Sequence, residues 1–250
     1  MQVGGARNIT VVATDFAFSA PAVINAGWIT MNLVNRGAEP HQVQIARLDP
    51  GKTLDDVIAA QRNRTEPPWR LLGGPNAADP KGGRANATQY LVPGNYLLVC
   101  FIPSPDGQPH LAKGMVRSLQ VRSGSARGRE PRADVAMRLV DYGFDLSRPL
   151  RRGPQTIRVW TDAPQPHEVV LIQLEPGKTT QDFLHWADGH PMGPPPARFR
   201  GGVVFLHPRE AAYFTVNLRP GRYGLVCFYP DRKDGKPHFV HGMLSDFTVE

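Results

Sequence analysis

The stretch CFIPSPDGQPHLAKGM, residues 100–115, sets one of only two cysteines in this 250-residue chain close to a histidine and a methionine. The other cysteine opens CFYPDRKDGKPHFVHGM, residues 227–243, where the same three groups follow in the same order. A thiol, an imidazole and a thioether in one short stretch, present twice, are where the reading of the whole chain starts.

The duplication extends well beyond that stretch. PHQVQIARLDPGKTLDDV from Pro40 aligns with PHEVVLIQLEPGKTTQDF from Pro166, and GNYLLVCF from Gly94 with GRYGLVCF from Gly221. The spacing between copies drifts by only a residue or two, so loops have been adjusted and nothing larger inserted. A repeat of this length is a whole domain and not a solenoid unit. The sequence predicts domains over residues 1–123 and 134–250, joined by a solvated linker over 124–133, within the Arg-, Gly- and Ser-rich run RSGSARGREPRADV.

A 41% hydrophobic content provides for two cores of ordinary size. The 25 Gly and 25 Pro interrupt the chain too often for long helices, and short alternating runs such as TVVATDFAF, TIRVW, EVVLIQL, NYLLVCF and SDFTV read as strands. The class expected is all-β, two tandem antiparallel sandwiches. Each carries one short helix after a GKT turn, at LDDVIAAQ and TQDFLHWA, with Thr53 and Thr179 as caps and acids in the first turn.

The formal net charge of +7 comes from scattered Lys and Arg with no basic stripe, which speaks against a nucleic-acid partner and leaves room for an acidic protein partner. No apolar run is long enough to cross a bilayer. MQVGGARN lacks the apolar core of a signal peptide, so an exported protein would have its leader absent from this chain.

Cys100 and Cys227 occupy equivalent places in two domains, which makes a disulfide between them awkward, and no CxxC is present. Taken singly, each reads as a buried small hydrophobe ending a core strand. The neighbours alter that reading. A thiolate with imidazoles and a weak thioether suits copper cycling between Cu(I) and Cu(II), because soft sulfur holds the reduced ion and imidazole serves both states. A second histidine per domain is available upstream, His41 in EPHQV and His167 in QPHEV, each at the start of an apolar run.

In these residues the chain resembles the cupredoxins, the blue copper family of plastocyanin and azurin, over nearly its whole length and twice. The family pattern is a histidine at a Pro-His-hydrophobic strand start, then a cysteine at a strand end, with a histidine and a methionine in the loop that follows. The resemblance implies Greek-key sandwiches and two ligand sets: His41, Cys100, His110 and Met115, then His167, Cys227, His238 and Met243. It implies one copper per domain, a one-electron carrier with a redox partner protein, and a periplasmic or extracellular location. Copper carriage or storage by the same ligands remains an alternative, as does a binding module with vestigial sites.

The loop between cysteine and second histidine is longer than in small blue copper proteins and resembles that of copper nitrite reductases, which raises an oxidoreductase reading. Those enzymes place a histidine beside the ligand cysteine. Here the neighbours are Val99 and Phe101, Val226 and Phe228, and there is no His-x-His pair of the kind multicopper oxidases need. An electron carrier without a substrate of its own is therefore favoured.

The remaining histidines read as bystanders. His241 has Lys113 as its counterpart and reads as a solvent-facing loop residue, while His185, His190 and His207, with Met192, read as parts of a proline-rich surface loop. Phe18, Phe144, Tyr96 and Tyr223 recur in both copies and read as core. Gln42 against Glu168 beside the first histidine, and Lys113 against His241, suggest a higher reduction potential in the first domain.

Overall fold

A computed structural model describes residues 5–187 and 195–250. The first half contains β1 (Arg7–Thr14), β2 (Ala17–Ser19), β3 (Val23–Asn35), β4 (Gln44–Leu48), α1 (Leu54–Asn63), β5 (Trp69–Leu71), β6 (Arg84–Leu91), β7 (Gly94–Val99) and β8 (Val116–Arg127). The second contains β9 (Val135–Val140), β10 (Gly143–Leu146), β11 (Gly153–Thr161), β12 (His167–Leu174), α2 (Thr180–Ala187), β13 (Ala197–Leu206), β14 (Ala211–Leu218), β15 (Gly221–Val226) and β16 (Leu244–Val249). The fold is all-β, two tandem sandwiches with one short helix each.

Alternation decides which faces turn inward. In β1, Ile9, Val11 and Ala13 are buried while their neighbours are wet, and in β11 Ile157 and Val159 do the same. β12 is different, being buried almost throughout. Its Val169 and Leu171 face the sandwich core beside Cys227 and Met243, and its Val170 and Ile172 meet Phe183 of α2. β4 repeats this, with Ile45 in the core of the first domain and Ala46 against Val57 of α1. Each helix therefore covers the outer face of the strand that begins beside the first histidine.

The caps expected from sequence form. Thr53 closes a capping box with Asp56, and Thr179 N–H donates to Asp182 Oδ2 at 2.8 Å while Asp182 N–H donates back to the Thr179 hydroxyl at 3.2 Å. Tyr96 and Tyr223 are core residues whose hydroxyls donate to the carbonyls of Val92, at 2.7 Å, and Arg219, at 2.9 Å. This is the same corner-locking contact in both copies.

The two sandwiches join edge to edge. Tyr213 of β14 pairs with Thr88 of β6, extending one sheet across the boundary. On the other sheet the segment after β5 lies beside β13: Gly73 N–H donates to the Phe205 carbonyl at 3.0 Å and Val204 N–H to the Gly74 carbonyl at 3.1 Å. Two edges that would otherwise face water cover one another. Gly73, at φ +90°, permits this approach, since a Cβ there would lie 2.9 Å from Leu206 Cδ2 and 2.9 Å from Val203 Cγ1 across the boundary.

The stretch expected as linker, 124–133, begins inside β8, which runs to Arg127, where Arg127 is the register partner of Gly27 of β3. Ladder hydrogen bonds come from backbone, so a run of small and charged residues can still pair where a neighbouring strand lies open beside it.

Candidate metal centre

Four short pieces of each sandwich converge at one end. In the first domain His41 sits just before β4, Cys100 follows β7, His110 opens a 3-10 turn (His110–Lys113), and Met115 precedes β8. Backbone bonds fix the loop upon itself: Leu111 N–H donates to the Cys100 carbonyl at 2.9 Å, Met115 N–H to that of His110 at 2.9 Å, and Cys100 N–H to that of Met115 at 3.3 Å. The second domain repeats all three, Phe239 to Cys227 at 3.0 Å, Met243 to His238 at 3.0 Å and Cys227 to Met243 at 3.2 Å. The longer ligand loops thus still return histidine and methionine to the cysteine.

The side-chain geometry is equally matched. His41 Nδ1 and His110 Nδ1 are 3.1 Å apart, and Cys100 Sγ is 3.3 Å from His110 Nδ1. In the second domain His167 Nδ1 and His238 Nδ1 are 2.9 Å apart, and Cys227 Sγ is 3.4 Å from His238 Nδ1. All these residues, with Met115 and Met243, are fully buried. For a divalent first-row ion, two metal–nitrogen bonds of about 2.0 Å at a tetrahedral angle put the nitrogens about 3.3 Å apart, and a metal–sulfur bond of about 2.3 Å puts sulfur about 3.5 Å from nitrogen. The donors are thus placed to meet at one ion, and a sulfur with two imidazole nitrogens is a set that suits copper.

Carboxylates set the histidine tautomers. His41 Nε2 is 3.1 Å from Asp15 Oδ1, His110 Nε2 is 2.8 Å from Glu39 Oε2, and His167 Nε2 is 2.6 Å from Asp141 Oδ1. A proton held on Nε2 by an outer carboxylate leaves the Nδ1 lone pair facing inward. Gly37 makes room for the first of these, because a Cβ there would lie 2.3 Å from Asp15 Oδ1 and 2.6 Å from His41 Nε2. Ring edges are conserved between the copies too: Phe16 meets His110 edge-on at 5.4 Å between centroids, and Tyr142 meets His238 at 5.5 Å.

His238 departs from the pattern. Its Nε2 is buried without a hydrogen-bond partner, and the nearest carboxylate oxygen, Asp231 Oδ2, is 3.7 Å away. Asp231 is already occupied, accepting from the Tyr142 hydroxyl at 2.7 Å, Gln165 Nε2 at 2.9 Å and Lys233 N–H at 2.7 Å. The Tyr142 contact above all holds its carboxyl well below the usual carboxylate range. Asp231, Asp234 and His241 form a further group of potential donors, but the same bonds, with Lys236 N–H on Asp234 at 2.9 Å, already fill it.

Burial sets the proton affinities. It pushes His41 and His167 below the ordinary histidine value and His238 down to about 4. It drives the Cys100 thiol up to about 12 and the Cys227 thiol well above its ordinary value. Against that, backbone N–H groups of Gln42 and Ile102 favour a thiolate at Cys100, and Glu168 N–H reaches Cys227 Sγ at 3.4 Å.

Several residues fall elsewhere than the sequence suggested. Glu168 is no free anion: it is fully buried, pushed up to about 7 by that burial, and bonded by Phe228 N–H at 3.0 Å and Asn76 Nδ2 at 3.1 Å. The Lys113 ammonium is paired with Asp106 at 2.8 Å and lies over the Phe16 ring. The charge contrast expected between the sites is therefore blunted. His207 is not on a surface loop but at the domain junction, where its Nδ1 accepts from Leu71 N–H at 2.8 Å. His185 lies in α2, His241 is exposed and 3.2 Å from Asp234, and His190 and Met192 lie outside the described residues. Asp15 and Asp141 were missed in the sequence reading, although they recur in the copies in step with His41 and His167.

The overall arrangement is two tandem β-sandwiches, each with a His–Cys–His cluster of potential metal donors. No protein-family model matches the chain, and no curated protein matches it in sequence. Among solved structures it is similar to a dithionite-reduced auracyanin from Roseiflexus castenholzii, with 20% identity over 48% of this chain and 99% of that one and a TM-score of 0.32. It is also similar to a blue copper oxidase from Nitrosomonas europaea, with 14% identity over 98% of this chain and 86% of that one and a TM-score of 0.31. A copper-containing nitrite reductase from Thermus scotoductus shows 12% identity over 98% and 62% of the chains and a TM-score of 0.28. At such scores the metal set rests on the side chains described above.

Proposed function

We propose that this protein holds one copper ion in each domain, through His41, Cys100, His110 and Met115 and through His167, Cys227, His238 and Met243, and carries single electrons. The observation that carries this reading is the pair of buried clusters, each with two Nδ1 atoms 2.9–3.1 Å apart and a cysteine sulfur 3.3–3.4 Å from one of them. Bound copper supplies a one-electron couple between Cu(I) and Cu(II).

The chain's own residues do the rest. Cys100 and Cys227 contribute soft sulfur for the reduced ion, and the four histidines donate through Nδ1 in either state. Asp15, Glu39 and Asp141 keep the outer nitrogens protonated and the rings oriented, which limits rearrangement when an electron arrives. Met115 and Met243 follow in each set as the weak thioether. The full burial of every donor favours a resident ion over one handed to another protein, and so favours electron transfer over copper carriage.

The partner is a redox protein, and the chain's net charge of +7 suits an acidic one. Among the described residues no helix is long and apolar enough to cross a membrane. Copper–thiolate chemistry suits a periplasmic or extracellular setting. Copper content measured together with the visible spectrum tests the reading: two ions per chain and an intense band that bleaches reversibly on reduction support it, and no thiolate-to-copper band at full loading contradicts it.

A further inference from the structure

Two continuous routes cross the domain junction, and both begin and end on residues of the metal clusters. One is hydrogen-bonded. The His41 carbonyl accepts from Ala78 N–H at 2.9 Å; Asn76, two residues back along the chain, donates from Nδ2 to Glu168 Oε2 at 3.1 Å; and Glu168 N–H reaches Cys227 Sγ at 3.4 Å. The other is aromatic. Phe101, bonded to Cys100, stacks on Phe205 of the second domain with centroids 5.8 Å apart; Phe205 meets Tyr229 at 4.9 Å, and Tyr229 meets His238 at 5.7 Å.

The junction's composition is telling. Asn76 and Glu168 are both almost fully buried. Burying a carboxylate at a contact that serves only adhesion costs more than an apolar pair of the same shape would. This carboxylate also holds Phe228 N–H, next to Cys227, through its other oxygen at 3.0 Å. The first domain has Gln42 at the equivalent position, so the feature belongs to the shared junction and not to the site architecture in general.

We propose that the two sites exchange electrons directly across this junction, along the Asn76–Glu168 bridge and the Phe101–Phe205–Tyr229 ring series. The inference rests on the copper reading above. In the step, one electron leaves Cu(I) in one domain and reduces Cu(II) in the other; no bond forms or breaks and no proton is required. The protein is thereby a two-site conductor, able to take an electron at one domain and deliver it from the other.

The test uses the full chain with both sites loaded. After a substoichiometric one-electron pulse, visible absorption and electron spin resonance follow each site, assigned from Cys100→Ser and Cys227→Ser. Redistribution between sites at a rate independent of protein concentration is expected. Asn76→Ala and Phe205→Leu should together slow it several-fold, with copper content and band positions unchanged. In metal-free protein Asn76→Ala should also speed amide hydrogen exchange at Phe228; unchanged exchange there removes the hydrogen-bonded route. If Asn76→Ala disturbs folding, Phe205→Leu tests the aromatic route by itself. A rate that scales with protein concentration, or one unaffected by either substitution, overturns the proposal. Fewer than two coppers per chain overturns it together with the function on which it rests, so the copper count tells the two failures apart.

Discussion

Asn76 of the first domain donates its side-chain amide to Glu168 of the second, at 3.1 Å, and Glu168 is the residue after a candidate ligand, His167. The same amide also reaches the Val169 carbonyl at 3.0 Å. The junction is thus built onto the wall of the second metal cluster. Asn76→Ala leaves a buried carboxylate and a buried carbonyl each short of one donor, which costs about 1–3 kcal/mol. Urea unfolding of the metal-free protein should show that loss, and an unchanged midpoint would mean that the contact is not formed in solution.

Asp15 and Asp141 hold the outer nitrogens of His41 and His167. Replacing either by Ala should weaken copper binding in its own domain by about 10–100-fold and leave the other domain unaffected. Competition with a chelator of known affinity, read at each site, checks this. Equal weakening of both sites would show that the effect is global and not local.

Burial holds His41 and His167 below the ordinary histidine value, and His238 at about 4. A histidine whose folded value lies below its unfolded one takes its proton more readily in the unfolded chain, so acid favours unfolding. Glu168, raised to about 7, works the other way, since its folded form gains a proton first and so gains stability as the pH falls. Three histidines against one carboxyl leave a net loss. Metal-free protein should lose stability as the pH falls from about 6.5 toward 4. Unfolding midpoints that rise over that range would contradict the burial of the histidines.

Both thiols are protonated at neutral pH, Cys100 because burial drives it up to about 12 and Cys227 because burial drives it well above the ordinary value. Copper bound as thiolate must therefore expel one proton per site. An indicator dye in weakly buffered solution should report thiol protons from both domains on copper addition, and from one domain fewer in Cys100→Ser. Copper uptake without any release would rule out thiolate ligation.

The candidate ligands stand out in the sequence because their chemistry is written twice. One copy of a cysteine, histidine and methionine is compatible with an ordinary strand end, whereas two copies in the same order are not easily explained by packing. Asp15 and Asp141 were equally legible in principle, since they recur together with Phe16 and Tyr142 in front of the histidines, but an isolated acid in a turn gives no local sign of the ring it will meet. Asn76, His207 and Phe205 were not legible. Their partners lie in the other domain, and no periodicity within one strand encodes where two sheet edges will meet. Glu168 read as a charge beside the metal because sequence shows its type and not the Asn76 amide and Phe228 N–H that surround it.

The claim that everything else depends on is that Cys100 and Cys227 each bind a separate copper ion. Copper titration of wild-type protein, Cys100→Ser, Cys227→Ser and the double variant, followed by metal content and by the thiolate-to-copper absorption band, tests it directly. The account predicts two coppers and two contributions to the band in the wild type, one of each in either single variant, and no band in the double variant. A double variant that still takes up two coppers with the wild-type spectrum would contradict it.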